Sequence, residues 1–269
     1  MKKLLTAILC TVLLGGIAIA QTGVKQKRPK VYEYGSLLVL PLSGVKPAMP
    51  PAVFDHWVHR AKYTCRLCHA DIGFSMKRGA TDIRAADNMR GYMCGTCHDG
   101  KREYEGRKIF RSCSLEKTGV HDQYCDKCHE KEKNEAKADG FFRFSDNLPK
   151  ERLGNGINWE KAESDGYITP IDFLDKVSIK RAPLAVQKDF ALEAKVNELP
   201  DIIFSHKKHT FWNGCEVCHP EVFAGIKKGM TKYSMAEINE GKYCGLCHTT
   251  VAFPLQDCQR CHSTLPQKS

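Results

Sequence analysis

Cys65-Arg66-Leu67-Cys68-His69 is the first copy of a pattern that this 269-residue chain writes six times. The others run from Cys94 to His98, Cys125 to His129, Cys215 to His219, Cys244 to His248 and Cys258 to His262. Two thiols three positions apart match the two vinyl groups on one edge of a porphyrin, and the imidazole that follows turns beneath the iron. The pattern therefore reads as six covalent haem c attachment sites. Their thioether anchors are Cys65, Cys68, Cys94, Cys97, Cys125, Cys128, Cys215, Cys218, Cys244, Cys247, Cys258 and Cys261. His69, His98, His129, His219, His248 and His262 are the expected proximal iron ligands. Paired cysteines also build zinc knuckles and thiol–disulfide centres, but neither chemistry demands histidine at the next position. Here it follows every pair.

Residues 1–20 read as an export leader, with Lys2 and Lys3 ahead of an uncharged apolar run and Ala18-Ile19-Ala20 as a small-residue cleavage site. A retained membrane anchor is the competing reading, since the run approaches spanning length. The cleavage site and the polar stretch after it favour removal after Ala20 and a periplasmic location, with outer-membrane or extracellular placement as variants. No other stretch is long and apolar enough to span a bilayer. Of the fourteen cysteines, Cys10 lies in the leader and Cys113 stands alone; Cys113 is assigned no role.

The mature chain offers about 40 residues per haem, too few to wrap each porphyrin in a helical core. The haems must then act as staples and core together, and the haem-free chain is expected to be largely unfolded. The formal charge of +10 is mostly compensation. Haem propionates and ferric iron bring the mature oxidised protein to roughly +2 and the reduced one to roughly −4. No stripe of basic residues interleaved with exposed aromatics points to nucleic acid.

Shifted by 150 positions, the chain matches itself without a gap from 54–98 onto 204–248. Fifteen of those 45 positions are identical, and only six of the fifteen belong to the haem motifs. The others include Phe54/Phe204, His56/His206, His59/His209, Gly79/Gly229, Gly91/Gly241 and Gly95/Gly245. Such self-similarity marks a repeated structural unit. Each unit closes with a third motif, at Cys125 or Cys258. Four segments follow: a leader at 1–20, an N-terminal unit at 21–130, a haem-free connecting segment at 131–200 and a C-terminal unit at 201–269. In the connecting segment, 159–165 suits a short helix, and Thr169-Pro170 reads as an N-cap and first-turn proline opening a helix over 171–176. Alternation over 190–196 suits a strand, and 31–42 is a further candidate strand. Aromatic content argues that this segment packs across the haem units rather than hanging free.

Phe-x-His-x-x-His followed by two related motifs and a third resembles the triheme cytochrome c7 family and its relatives built from such units in tandem. The resemblance covers 54–130 and 204–263. It implies a mostly irregular fold with short helices and a few short strands, arranged as two triheme c7-like units. It also implies distal ligands: His56 to the His69 haem, His59 to the His98 haem, His206 to the His219 haem and His209 to the His248 haem. Some multi-domain relatives use a methionine ahead of the middle motif, which makes Met235 the candidate for the His262 haem. The equivalent position in the first unit is Ala85, so the His129 haem is left with two candidates, Met89 and His121. Methionine in place of histidine raises a haem potential.

Iron closed on both faces exchanges electrons and nothing else. The expected role is a monomeric, non-enzymatic carrier linking a membrane quinol-oxidising complex to outer-membrane or terminal acceptors. Its partners would be other cytochromes and membrane redox complexes, met by transient docking. Two other classes compete. A reductase of nitrite, hydroxylamine or a sulfur oxyanion needs one open haem, and the His129 haem is the candidate. A filament-forming cytochrome needs a ligand from the next subunit, and His121 is the residue to supply it.

Overall fold

Phe54 and Phe204 close equivalent antiparallel pairings in this computed structural model, which describes residues 29–40, 49–113, 125–129, 135–182, 188–194, 199–225 and 227–264. Strand β1 (Ser36–Val39) pairs with β2 (Ala52–Asp55), with Leu37 opposite Phe54. A helical turn α1 (His56–Arg60) follows at once. In the second repeat, β5 (Phe190–Leu192) pairs with β6 (Asp201–Phe204), with Phe190 opposite Phe204, and α5 (His206–Asn213) follows. The short helices α2 (Ala85–Met89) and α6 (Met235–Asn239) also correspond, each leading into a middle motif. Small elements otherwise stand in irregular chain: β3 (Glu103–Tyr104) with β4 (Arg107–Lys108), and the turns α7 (Gly245–His248) and α8 (Cys258–Cys261). The fold is mostly irregular, with short helices and a few short strands.

Both third motifs return to the strand that began their unit. Cys128 O accepts from Val53 N at 2.7 Å, and β7 (His262–Thr264) pairs with β6, Ile202 opposite His262. Each repeat is thus closed by its own last motif.

The connecting segment supplies most of the core. Val31–Ser269 forms one compact unit, and Met1–Lys30, of which 29–30 are described, forms another. Within the former, helix α3 (Glu135–Ser145) buries Phe141 edge-on against Trp57 at 5.2 Å. Helix α4 (Trp159–Ser164) adds Trp159 and Ala162, and Ile157, Ile168 and Leu148 complete the cluster, with Trp212 packed against it. Among the described residues only thirteen hydrophobic side chains are buried, too few to drive a chain of this length to fold unaided.

Two of the sequence expectations for this segment hold and two are corrected. Helix α4 starts as expected, with Asn158 Oδ1 accepting from Lys161 N at 3.0 Å. The segment packs as a wedge rather than a tether. The helix expected over 171–176 does not form. Ile171 N donates to Lys62 O at 2.8 Å and Ile171 O accepts from Thr64 N at 3.1 Å, making a parallel bridge with Tyr63. Backbone groups committed to another strand cannot close a helical turn. The strand expected over 190–196 stops at Leu192, after which Ala194 N turns to Asp201 Oδ1 at 2.9 Å. Of the candidate strand over 31–42, Ser36–Val39 is extended and Val31–Glu33 is a 3-10 turn.

Buried charge ties the repeats together. Arg66, inside the first motif, bonds Asp71 at 3.3 Å and Asp172 at 2.7 Å. Asp71, fully buried, also holds Arg181 at 2.8 Å, and Arg181 pairs with Glu216 inside the fourth motif. Asp71→Ala strips two guanidinium groups of their shared carboxylate. The expected loss is about 3 kcal/mol in urea unfolding of the haem-loaded protein.

Gly95 and Gly245 sit where a Cβ would fall 1.8 Å from Asn88 O and 1.9 Å from Ile238 O. Gly73 at φ 94° has open space around it, so alanine there meets only backbone strain of about 1–2 kcal/mol. Gly95→Ala and Gly245→Ala must displace main chain as well, and each is expected to cost about 3 kcal/mol or more in the same unfolding measurement.

Candidate functional site

Ten of the eleven histidines lie within the described residues, and all ten do the same thing with one ring nitrogen. Among the residues expected as proximal ligands, Nδ1 lies 2.8 Å from Phe74 O in His69, 3.2 Å from Phe110 O in His98 and 2.6 Å from Pro50 O in His129. The distances are 2.8 Å to Phe223 O for His219, 2.9 Å to Phe253 O for His248 and 2.8 Å to Pro200 O for His262. Among the residues expected as distal ligands, His56 meets Gly35 O at 2.9 Å, His59 meets Asp55 O at 2.9 Å, His206 meets Lys188 O at 3.1 Å and His209 meets Ser205 O at 2.7 Å. A carbonyl accepts, so Nδ1 carries the proton and Nε2 is left as the lone-pair donor, the state a metal-ligating imidazole requires.

Equivalent carbonyls serve equivalent histidines. Pro50 and Pro200 are related by the 150-residue shift and hold the two third-motif histidines. Asp55 and Ser205, likewise related, hold His59 and His209 from one turn back. The repeat therefore reaches upstream of Phe54, to Pro50 and Pro200.

Phe54 shows why an aromatic residue starts Phe-x-His-x-x-His. Its ring meets His56 edge-on at 4.8 Å and stacks on His59 at 4.3 Å. Phe204 does the same with His206 at 5.0 Å and His209 at 4.4 Å. One ring thereby fixes the planes of two imidazoles.

The pairings can be tested against the demands of a bis-histidine iron. His59 and His98 rings have centroids 6.3 Å apart, and His209 and His248 rings repeat that separation of 6.3 Å. Each separation leaves room for one metal ion between the two imidazoles, whose metal–nitrogen bonds are about 2.0 Å. The residues present fit the group. His56 lies near enough to His69 to feel its charge, although burial is the largest force pushing His56 down to about 4. Burial likewise pushes His59 and His248 down to about 4, which keeps their imidazoles neutral. Among the described residues, no ring contact joins His206 to His219.

None of the thirteen described cysteines is disulfide-bonded; twelve are partly buried and Cys258 is exposed. Desolvation pushes Cys68 and Cys247 up to about 12, and Cys94, Cys218 and Cys261 up to about 11. A redox-active thiol works as thiolate and is found where its pKa is depressed, so burial keeps these thiols protonated and unreactive. The thiols that neighbour one another show which motifs adjoin: Cys68 with Cys97 and Cys94, Cys94 with Cys128, Cys218 with Cys244, and Cys65 with Cys218 and Cys247 across the repeats. Cys113 lies beside Cys94 and Cys128.

The methionine candidates are less constrained. Met235 opens α6 and is 47 % exposed, and Met89 ends α2, partly buried. His121 lies outside the described residues, as does the leader. No helix among the described residues is long and apolar enough to cross a membrane, and none of their His, Cys, Asp and Glu side chains converge in threes on a metal-ion site.

The family model described as "Cytochrome c7 and related cytochrome c" matches residues 52–130 and 202–263, just over half of the chain. Among solved structures, a c7-type three-heme cytochrome domain is 35% identical, over 28% of this chain and 93% of its own, with a TM-score of 0.26. The C-terminal hexaheme fragment of GSU1996 is 24% identical over 88% of this chain and 99% of its own, with a TM-score of 0.25. The dodecaheme cytochrome c GSU1996 is 21% identical over 89% of this chain and 76% of its own, with a TM-score of 0.26. No curated protein matches the chain. With each of its two repeats matched in turn, the chain belongs to the cytochrome c7 family of haem c-binding, multihaem electron-transfer proteins.

Proposed function

We propose that this protein is an exported hexahaem electron carrier, without substrate chemistry of its own, that relays electrons between membrane redox complexes and other cytochromes in the periplasm. The observation that carries the reading is the uniform anchoring of Nδ1 on main-chain carbonyls, which leaves ten Nε2 atoms available for iron. When bound, haem c supplies the one-electron Fe(III)/Fe(II) couple. The residues of the chain do the rest.

The six motif histidines hold one face of each iron. His56, His59, His206 and His209 close the opposite face of four of them, and Met235 closes that of the His262 haem. Met89 or His121 closes that of the His129 haem. A face closed by protein cannot bind a small substrate, which favours electron exchange over reduction of nitrite or hydroxylamine. The nearness of Cys65 to Cys218 and Cys247 supports passage between the repeats without leaving the protein. Exposed lysines on the second repeat, among them Lys207, Lys208, Lys227, Lys228 and Lys242, suit weak docking to the carboxylate-rich surroundings of another cytochrome's haem edge.

Intact mass of the exported protein is expected to show six added haem c groups, and a protein without them would end this reading. Low-temperature electron paramagnetic resonance of the oxidised protein is expected to show low-spin iron throughout. His59→Ala and His209→Ala should each convert one centre to high spin, and an unchanged spectrum would reject that residue as a ligand.

A further inference from the structure

Arg60 ends α1 one residue after His59, and its place in the second repeat is taken by Thr210. The duplication therefore does not require a cation here. The guanidinium is buried between two indoles, 4.5 Å from the Trp159 ring and 5.2 Å from the Trp212 ring. Its Nη1 donates to Val251 O at 2.8 Å, just beyond the fifth motif. Its Nε is buried with no hydrogen-bond partner among the described residues, and no carboxylate pairs with it there. The side chain carries five N–H donors and cannot shed its charge. A buried cation without a counter-ion is costly, and its field reaches its neighbours poorly screened.

Its electrostatic neighbours identify the surroundings. They are Cys65 and Cys247, thioether anchors of the first and fifth motifs, and Tyr34, together with His56 and His248, ligands expected on the same two irons. Thioether anchors mark the edge by which a porphyrin is attached, so the guanidinium stands toward the attached edges of both haems.

We propose that Arg60 is a fixed cation between the haems of His69 and His248, and that it makes both haems easier to reduce than their repeat counterparts. The counterparts are the haems of His219 and His98. Reduction adds one electron to Fe(III) and removes one unit of positive charge at the iron, and a nearby fixed cation favours that change. Electrons then pool where the two repeats meet. The inference rests on the hexahaem reading.

Stepwise spectroelectrochemical titration of the haem-loaded protein tests it, with Arg60→Gln and Arg60→Lys beside the unaltered chain. Arg60→Gln is expected to keep six haems by mass and low-spin iron while two of the six midpoints fall. The expected fall is about tenfold in the reduction equilibrium, or 59 mV for a one-electron couple. Arg60→Lys keeps the charge and is expected to hold the midpoints near those of the unaltered protein. Six haems with unchanged midpoints in Arg60→Gln would overturn the proposal, as would equal falls in both variants. If Arg60→Gln does not accumulate, the reduction order in the unaltered protein, assigned by paramagnetic NMR, decides. The His69 haem must reduce before the His219 haem and the His248 haem before the His98 haem, and the reverse order rejects the idea. Absence of haem from the unaltered protein would instead sink the hexahaem reading itself.

Discussion

A hydrogen bond from imidazole Nδ1 to a main-chain carbonyl is the constraint on which the rest of this structure depends. One such bond contributes about 1 kcal/mol net, a small sum beside the cost of ordering a chain this irregular. Its effect is directional. It fixes the tautomer and aims Nε2, and it does so for every histidine in view. The strands, the one-turn helices and the left-handed residues that precede the middle motifs, Met93 and Tyr243, make sense as devices for presenting carbonyls at the right distance. An irregular fold suits that task, because turns leave carbonyls unclaimed that a long helix or wide sheet would consume.

The two repeats share this plan but not their burden. Packing is concentrated in the connecting segment, where Phe141, Trp159 and Ala162 meet Trp57 from one repeat and Trp212 from the other. Charge follows the same route, through Asp71, Arg181 and Glu216. The segment without haem is thus the one that holds the haem-bearing repeats in a single body. Arg60 lies at that meeting, pressed between an indole of the connecting segment and one of the second repeat.

Much of this was legible in the amino-acid order. The six motifs, the 150-residue duplication and the paired histidines before Cys65 and Cys215 are local patterns with narrow chemical meaning. Helix α4 was legible as well, since Asn158 carries its own cap. The acceptors of the third-motif histidines were not, because they lie far along the chain: Pro50 is 79 positions from His129, and Pro200 is 62 from His262. Helix α3 hides behind a charged run and Gly140, and only tertiary contact reveals the face carrying Phe141. The helix expected after Thr169 failed because its local signal was sound but Lys62 and Thr64 had already claimed the backbone of Ile171. Arg60 carries no motif at all, and its environment exists only once both repeats are in place.

Because every acceptor is a peptide oxygen, any amino acid at Pro50, Phe74 or Phe253 still provides one. Drift in residue identity is therefore cheap at those positions, whereas a single insertion or deletion between a motif and its carbonyl would turn the imidazole away. Selection on such a scaffold acts on loop length more than on lettering, and two copies can diverge widely while keeping the same metric.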